Sequence, residues 1–164
     1  MITVGVITAS DKGSRGERED LSGQVIKSMV EEIGWEVKDV VIVPDEQRVL
    51  EQKMIEFADE LKVDVILTTG GTGFSPRDVT PEATLTVVER LTPGIPEAMR
   101  YASLKVTPRA MLSRAQAGIR GKTVIINLPG SPKGVKECLA VVLQSLEHGI
   151  EILKGTAGEC AQKP

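Results

Sequence analysis

The apolar positions of this chain change their spacing in a regular order, and that order predicts an α/β sheet. Residues 2–8 alternate and are rich in β-branched side chains, the pattern of a first strand. Ile26, Met29, Val30 and Ile33 then recur at helical spacing and stop at Gly34, a glycine placed to end a helix. Residues 36–43 predict a second strand. After the turn Pro44-Asp45-Glu46, Leu50, Met54, Phe57 and Leu61 predict a second amphipathic helix. The short apolar run at residues 63–67 predicts a buried third strand, and Pro81 opens a third helix with Thr80 as its N-cap. Pro93-Gly94-Ile95-Pro96 interrupts the chain before a helix through Met99 to Leu104. Residues 113–119 and 123–128 are expected to pair through a turn at Arg120-Gly121. A long last helix carries Val135, Leu139, Val142, Leu146, Ile150 and Leu153 on one stripe. Strands alternating with helices predict a mostly parallel sheet flanked by helices and joined by right-handed crossovers. Residues 1–155 read as one domain and 156–164 as a flexible tail.

Ligands of such sheets sit beyond the carboxyl ends of the strands. Four loops leave strands there, at residues 9–20, 44–46, 70–81 and 129–133, and the glycine-rich and short polar signals all fall within them. The densest is Thr68-Thr69-Gly70-Gly71-Thr72-Gly73-Phe74-Ser75-Pro76-Arg77-Asp78-Val79-Thr80-Pro81. Its glycines let backbone N–H groups approach a ligand with no side chain in the way. Its threonines add donors, Arg77 adds a cation, and Asp78 can meet a metal ion or a polar ligand group. This is equipment for gripping a phosphorylated molecule. Commoner phosphate motifs do not fit: Gly70-Gly71-Thr72-Gly73 is not the dinucleotide fingerprint. Gly121-Lys122-Thr123 has Gln116 where a P-loop needs glycine and leads into a strand. His148 is the only histidine, so no Ser-His or Cys-His pair exists, and no Cys/His cluster has zinc spacing.

Composition narrows the partners. The chain has 164 residues, 41% apolar and 26% charged, enough for one compact core. Aromatics are only 2%, so the core is aliphatic and base-stacking platforms are scarce. A net charge of −3 argues against a general nucleic-acid binder. No apolar run approaches the roughly 20 residues of a membrane span. The chain starts directly on a strand pattern with no signal peptide, and Cys138 and Cys160 make no disulfide framework. A cytoplasmic setting follows as the expectation. Cys138 falls among apolar helix positions and reads as a small buried hydrophobe.

Several motifs in one order resemble the molybdopterin-binding family of molybdenum cofactor biosynthesis, which includes bacterial molybdopterin adenylyltransferases and the G domains of gephyrin and its plant counterpart. The motifs are the glycine run through Thr84, Ser10-Asp11 with Gly23, and Pro44-Asp45-Glu46. Met111-Leu112-Ser113-Arg114 with Gly118-Ile119-Arg120-Gly121, and Asn127-Leu128-Pro129-Gly130-Ser131-Pro132, complete the set. The resemblance covers nearly the whole chain. It implies a three-layer α/β domain that forms a homotrimer and transfers AMP from Mg2+-bound ATP to the terminal phosphate of molybdopterin, releasing pyrophosphate. It also implies hand-over to a molybdenum insertase, whose domain this chain lacks. By motif, Asp45 and Asp78 are the essential acids and the expected Mg2+ ligands. Ser10, Asp11, Thr69, Gly70, Gly71, Thr72, Gly73, Pro129, Gly130 and Ser131 fall to the substrates, with Ser113 and Arg114 on the pterin side. Ser131 departs from the asparagine of many relatives. The alternative is a non-catalytic molybdopterin-binding protein of the same fold.

Each assignment has a plainer rival. Asp45 is suited to starting a turn or capping the second helix. Asp78 can brace its loop by pairing with Arg77 or a neighbour. Ser113 and Arg114 on a strand would form a solvated face, Asp20 and Ser22 would cap the first helix, and residues 12–20 would be a mobile loop.

Overall fold

The β-branched runs form the strands that their spacing predicts, in a computed structural model that describes residues 1–157. The tail expected at the C-terminus, with Cys160, lies outside the described residues from 158 onward. β1 (Thr3–Ala9), β2 (Glu36–Val43), β3 (Val65–Thr69), β4 (Arg90–Leu91), β5 (Ala117–Arg120) and β6 (Thr123–Leu128) make one sheet in the order β2-β1-β3-β6-β5-β4. The first four of that order are parallel. β5 turns back on β6 through Gly121, whose φ of +57° the tight turn requires. β4 has no pattern in the sequence, being two exposed residues. It forms because Gly118 lets the chain come close: a Cβ there would stand 2.7 Å from the Arg90 carbonyl oxygen.

Alternation sorts the strand side chains onto two faces. Val4, Val6, Val65, Leu67, Val124 and Ile126 join the core beneath α2 (Leu21–Glu32), α5 (Gly94–Leu104) and α6 (Pro132–Lys154). Ile7, Ile66 and Ile125 meet α3 (Gln47–Ile55) and α4 (Thr80–Val87) on the other. The result is a three-layer sandwich with its central strands buried on both sides, as parallel sheets require. Among the described residues no helix is long and apolar enough to cross a membrane.

Further elements depart from the pattern, among them the strand expected over 113–119, which is confined to Ala117–Arg120. α3 widens into a π-type turn at Glu56–Glu60, which shifts the phase of its apolar face and leaves Leu61 exposed. Phe57 is fully buried there, and its ring fills the space a Gly5 side chain would take; a Cβ on Gly5 would lie 2.4 Å from it. Gly5→Ala is therefore expected to cost about 1–3 kcal/mol by overpacking, read as a lower urea midpoint with unchanged m-value. α5 begins at Gly94, inside the expected interruption. The first loop contains a short helix, α1 (Asp11–Ser14), capped by Ser10. Thr80 is not an N-cap: Val79 precedes the helix, and the Thr80 hydroxyl donates to the Gly70 carbonyl at 3.0 Å instead.

Candidate active site

Because β2, β1, β3 and β6 run parallel, the loops after them converge at one edge of the sheet. They enclose a cavity of about 650 Å³ with Ser10, Asp20, Asp45, Gly70, Asp78 and Gly130 among its walls. The loops are fastened by their own polar groups. Asp11 and Asp45 exchange two hydrogen bonds, the Asp11 N–H donating to Asp45 Oδ2 and the Asp45 N–H to Asp11 Oδ1, both at 3.0 Å. The Arg77 guanidinium donates to both Asp11 oxygens, at 3.0 and 2.8 Å. Asp45 therefore does not cap α3, whose N-terminal residue Glu46 makes no side-chain cap. Asp78 does not pair with Arg77 but does brace its loop through a neighbour. Its Oδ2 accepts from the Ser75 N–H at 3.0 Å.

The glycine loop takes a path open only to glycine. Gly70 and Gly71 have φ of +90° and +69°. A Cβ on Gly70 would stand 2.4 Å from the Ala9 carbonyl oxygen, and one on Gly71 would stand 2.4 Å from Thr80 Oγ1. Three hydroxyls take up the loop carbonyls: Thr69 donates to Pro129 O at 2.6 Å, Thr80 to Gly70 O, and Ser22 to Gly130 O at 2.8 Å. Ser131 is the cap of α6, its Oγ accepting from the Gly134 N–H at 3.1 Å. Beneath the floor, buried Asn127 donates to Thr68 and Thr84 hydroxyls at 3.1 and 2.8 Å, which ties β6 to β3 and α4.

Charge is unevenly balanced in the cavity. Arg77 holds the Asp11 carboxyl below the usual carboxylate range. Burial pushes Asp45 up, and the negative charges of Asp11 and Asp78 push it further. Asp45 Oδ1 and Asp78 Oδ1 have no protein hydrogen bond among the described residues. Hard oxygen donors that crowd negative charge fit a magnesium ion. The described residues contain no group of three or more His, Cys, Asp or Glu placed to hold a metal, so a cation at Asp45 and Asp78 would complete its shell with water and substrate phosphate.

A second cavity of about 370 Å³ adjoins the first and shares Ser131 with it. Ser113 and Pro129 line it, with Arg100, Arg109 and Lys133 as basic residues and Glu137 as an acidic one around an otherwise mainly apolar wall. Ser113 and Arg114 do not sit on a strand. Ser113 ends a 3₁₀ turn (Pro108–Leu112), and Arg114 turns away from both cavities into the back of the glycine loop, where Thr72 and Gly73 also lie.

The expected residues Ser10, Asp45, Thr69, Gly70, Gly71, Asp78, Gly130 and Ser131 meet at the first cavity. Arg18, Glu19 and Asp20 join them from a stretch that reads as a mobile loop, whereas Arg15 pairs outside the wall with Glu17. Asp20 does cap α2 through the Gly23 N–H, and it also accepts from Thr8 Oγ1 at 2.8 Å. The signal that would have found it is Gly23 itself. A glycine in a helix's first turn is unusual, and a Cβ there would stand 2.1 Å from Asp20 Oδ2. Ser22 is a clasp on the Gly130 loop rather than a cap.

A family model described as probable molybdopterin binding domain matches residues 5–148. The molybdopterin adenylyltransferase of Helicobacter pylori (strain J99) is 43% identical over 164 residues, spanning 99% of this chain and 93% of that protein. Gephyrin of Dictyostelium discoideum is 45% identical over 160 residues, 92% of this chain and 22% of gephyrin. The crystal structure of the molybdopterin biosynthesis enzyme MoaB from Thermus thermophilus superposes with a TM-score of 0.88 at 46% identity, covering 94% of this chain and 98% of that one.

Proposed function

The chain belongs to the molybdopterin-binding domain family, and from that premise we propose that it is a molybdopterin adenylyltransferase, joining AMP from ATP to the terminal phosphate of molybdopterin. The observation that carries the reading is the pair of adjoining cavities. The glycine-loop cavity suits a nucleotide triphosphate beside Asp45 and Asp78. The second, with its basic residues and mainly apolar wall, suits a pterin bearing a phosphate. Ser131 stands where the two meet, so both phosphates are brought to one place.

In the transfer, an oxygen of the molybdopterin phosphate bonds to the α-phosphorus of ATP. The bond from that phosphorus to the oxygen bridging to the β-phosphate breaks, and pyrophosphate leaves with the electron pair. The nucleophile is already an anion, so no serine–histidine pair is needed. The barrier is positional and electrostatic. Backbone donors of Gly70, Gly71 and Gly130 and the Ser10 hydroxyl are the groups this chain brings to the phosphates. Magnesium held by Asp45 and Asp78 would supply neutralisation of the phosphate charge as the anions approach.

The remaining parts of the proposal are a homotrimer, a cytoplasmic setting and delivery of product to a molybdenum insertase. Apolar side chains such as Tyr101, Val106 and Met111, 68%, 55% and 64% exposed, supply surface for subunit contact.

The test is pyrophosphate release with ATP, Mg2+ and molybdopterin all present. Release that needs all three is expected. Tight molybdopterin binding with no release, where a known adenylyltransferase works in parallel, would make the chain a binder instead.

The raised Asp45 carboxyl also makes a prediction about pH. Its native form holds a proton to higher pH than the unfolded chain does, so the contribution of Asp45 to metal-free stability falls as pH rises through that window, against the rising contributions of the lowered carboxyls Asp11 and Glu82. Asp45→Asn keeps an acceptor for the Asp11 N–H and removes the charge. It is expected to raise the metal-free Tm above that window and to lose any rise in Tm on adding Mg2+. A calorimetric scan across pH, with and without Mg2+, checks both.

A further inference from the structure

Arg114 has no share in either cavity, yet its side chain is fully engaged. Its Nε donates to the Gly73 carbonyl at 2.7 Å, one terminal nitrogen donates to the Asp78 carbonyl at 2.7 Å, and the other pairs with Glu82 at the start of α4. Its own backbone N–H donates to the Thr72 carbonyl at 2.9 Å. Gly73 and Asp78 bracket the outward excursion of the glycine loop, and one guanidinium closes that excursion at its base. Thr80 also ties the base, its N–H donating to the Gly71 carbonyl at 3.2 Å, and Arg77 ties the excursion outward to Asp11. Among the described residues, Arg114 is the group that holds the Gly73 and Asp78 carbonyls together. Phe74, at the tip, is 70% exposed and makes no core contact, and the bonds between Ser75 and Asp78 lie within the excursion itself.

The Asp78 carboxylate depends on this closure. A Cβ on Gly73 would stand 2.9 Å from Asp78 Oδ2, so the carboxylate lies directly over the residue whose carbonyl Arg114 holds. Glu82 completes the arrangement at a cost. Its Oε2 is buried with no hydrogen-bond partner, although the side chain as a whole is 43% exposed. Burying an acceptor unpaired is unfavourable, and its other oxygen is committed to Arg114. Arg114 also keeps the Glu82 carboxyl below its ordinary range, so the pair stays charged.

We propose that Arg114, oriented by Glu82, is a positioning residue that sets where the Asp78 carboxylate sits, and that it does not contact substrate. This rests on Asp78 serving the adenylyl transfer. Lysine in its place keeps the charge but is a point donor. Its three donors sit on one nitrogen, whereas Arg114 reaches its three partners from three separate nitrogens.

Arg114→Lys is expected to lower kcat by about 100-fold, the cost of a misplaced group near 1 Å, with KM for molybdopterin unchanged. Amides of residues 71–78 should exchange hydrogen faster while those of α6 keep their protection. Glu82→Gln, which keeps an acceptor for Arg114, should retain far more activity than Glu82→Ala. A raised KM for molybdopterin with kcat retained would make Arg114 a substrate ligand and overturn the proposal. So would unchanged kcat with unchanged exchange, or a loss of Tm alone with full activity per folded molecule. If the unaltered protein releases no pyrophosphate, the adenylyl-transfer reading fails. The exchange comparison still decides whether Arg114 holds the loop.

Discussion

Asp78→Ala is expected to reduce adenylyl transfer by roughly 10³-fold, the loss typical of removing one preorganised electrostatic group, while leaving the fold in place. The two halves of that expectation come from different atoms of one residue. The main chain at Asp78 stays fixed because its carbonyl accepts from Arg114 at 2.7 Å and its N–H donates to the Ser75 carbonyl at 2.9 Å, neither of which the substitution removes. Among the described residues the carboxylate provides one structural bond, from the exposed Ser75 N–H, so its loss should barely move Tm. What disappears is the negative charge at the cavity wall and half of the proposed magnesium site. Asp78→Asn separates the two effects further, since its amide oxygen can still accept from Ser75. Both variants should be inactive and stable, and pyrophosphate release measured beside a thermal scan shows it. Full activity of Asp78→Ala would remove Asp78 from the mechanism.

Gly70→Ala should do the opposite and damage both stability and activity. At φ of +90° an alanine is strained by about 1–3 kcal/mol, and its Cβ would lie 2.4 Å from the Ala9 main-chain oxygen. That oxygen belongs to the end of a buried strand and cannot swing aside as a flexible side chain would, so overpacking adds about 1–3 kcal/mol more. The sum is a large part of the roughly 5–15 kcal/mol that holds a typical domain together. Relief requires Gly70 to move away from β1. It also lies 3.5 Å from the position a Gly130 side chain would occupy, so the loops on both sides of the cavity shift with it. Gly16→Ala is the control: its φ is +73° but the space around it is open. It should pay the backbone strain alone and keep its activity. Equal losses in the two variants would show that packing at Gly70 contributes nothing beyond its backbone angle.

These contrasts mark how far the site was legible beforehand. The glycine run, Asp45 and Asp78 stand out because backbone angles and short polar loops are local properties, written in adjacent residues. Gly70 and Gly71 do take left-handed angles, and all four loops do meet. Arg114 reads wrongly as part of a strand because nothing near it in the chain shows that it faces the carbonyls of Gly73 and Asp78, 41 and 36 residues away. Arg77 sits beside Asp78 in sequence and pairs instead with Asp11, 66 residues away. Charge alone does not say which of several carboxylates a long cation will reach.

The sequence by itself determined the order of the main strands and helices, the parallel core, and which loops would carry chemistry. Burial periodicity and glycine placement are set by each segment's own neighbours. Only the tertiary structure decided the polar pairings, the π-type turn over Gly5, the two-residue edge strand and the meeting of two cavities at Ser131. Those depend on which elements lie side by side, and hydrogen bonds and close packing act over about 3–4 Å regardless of separation along the chain.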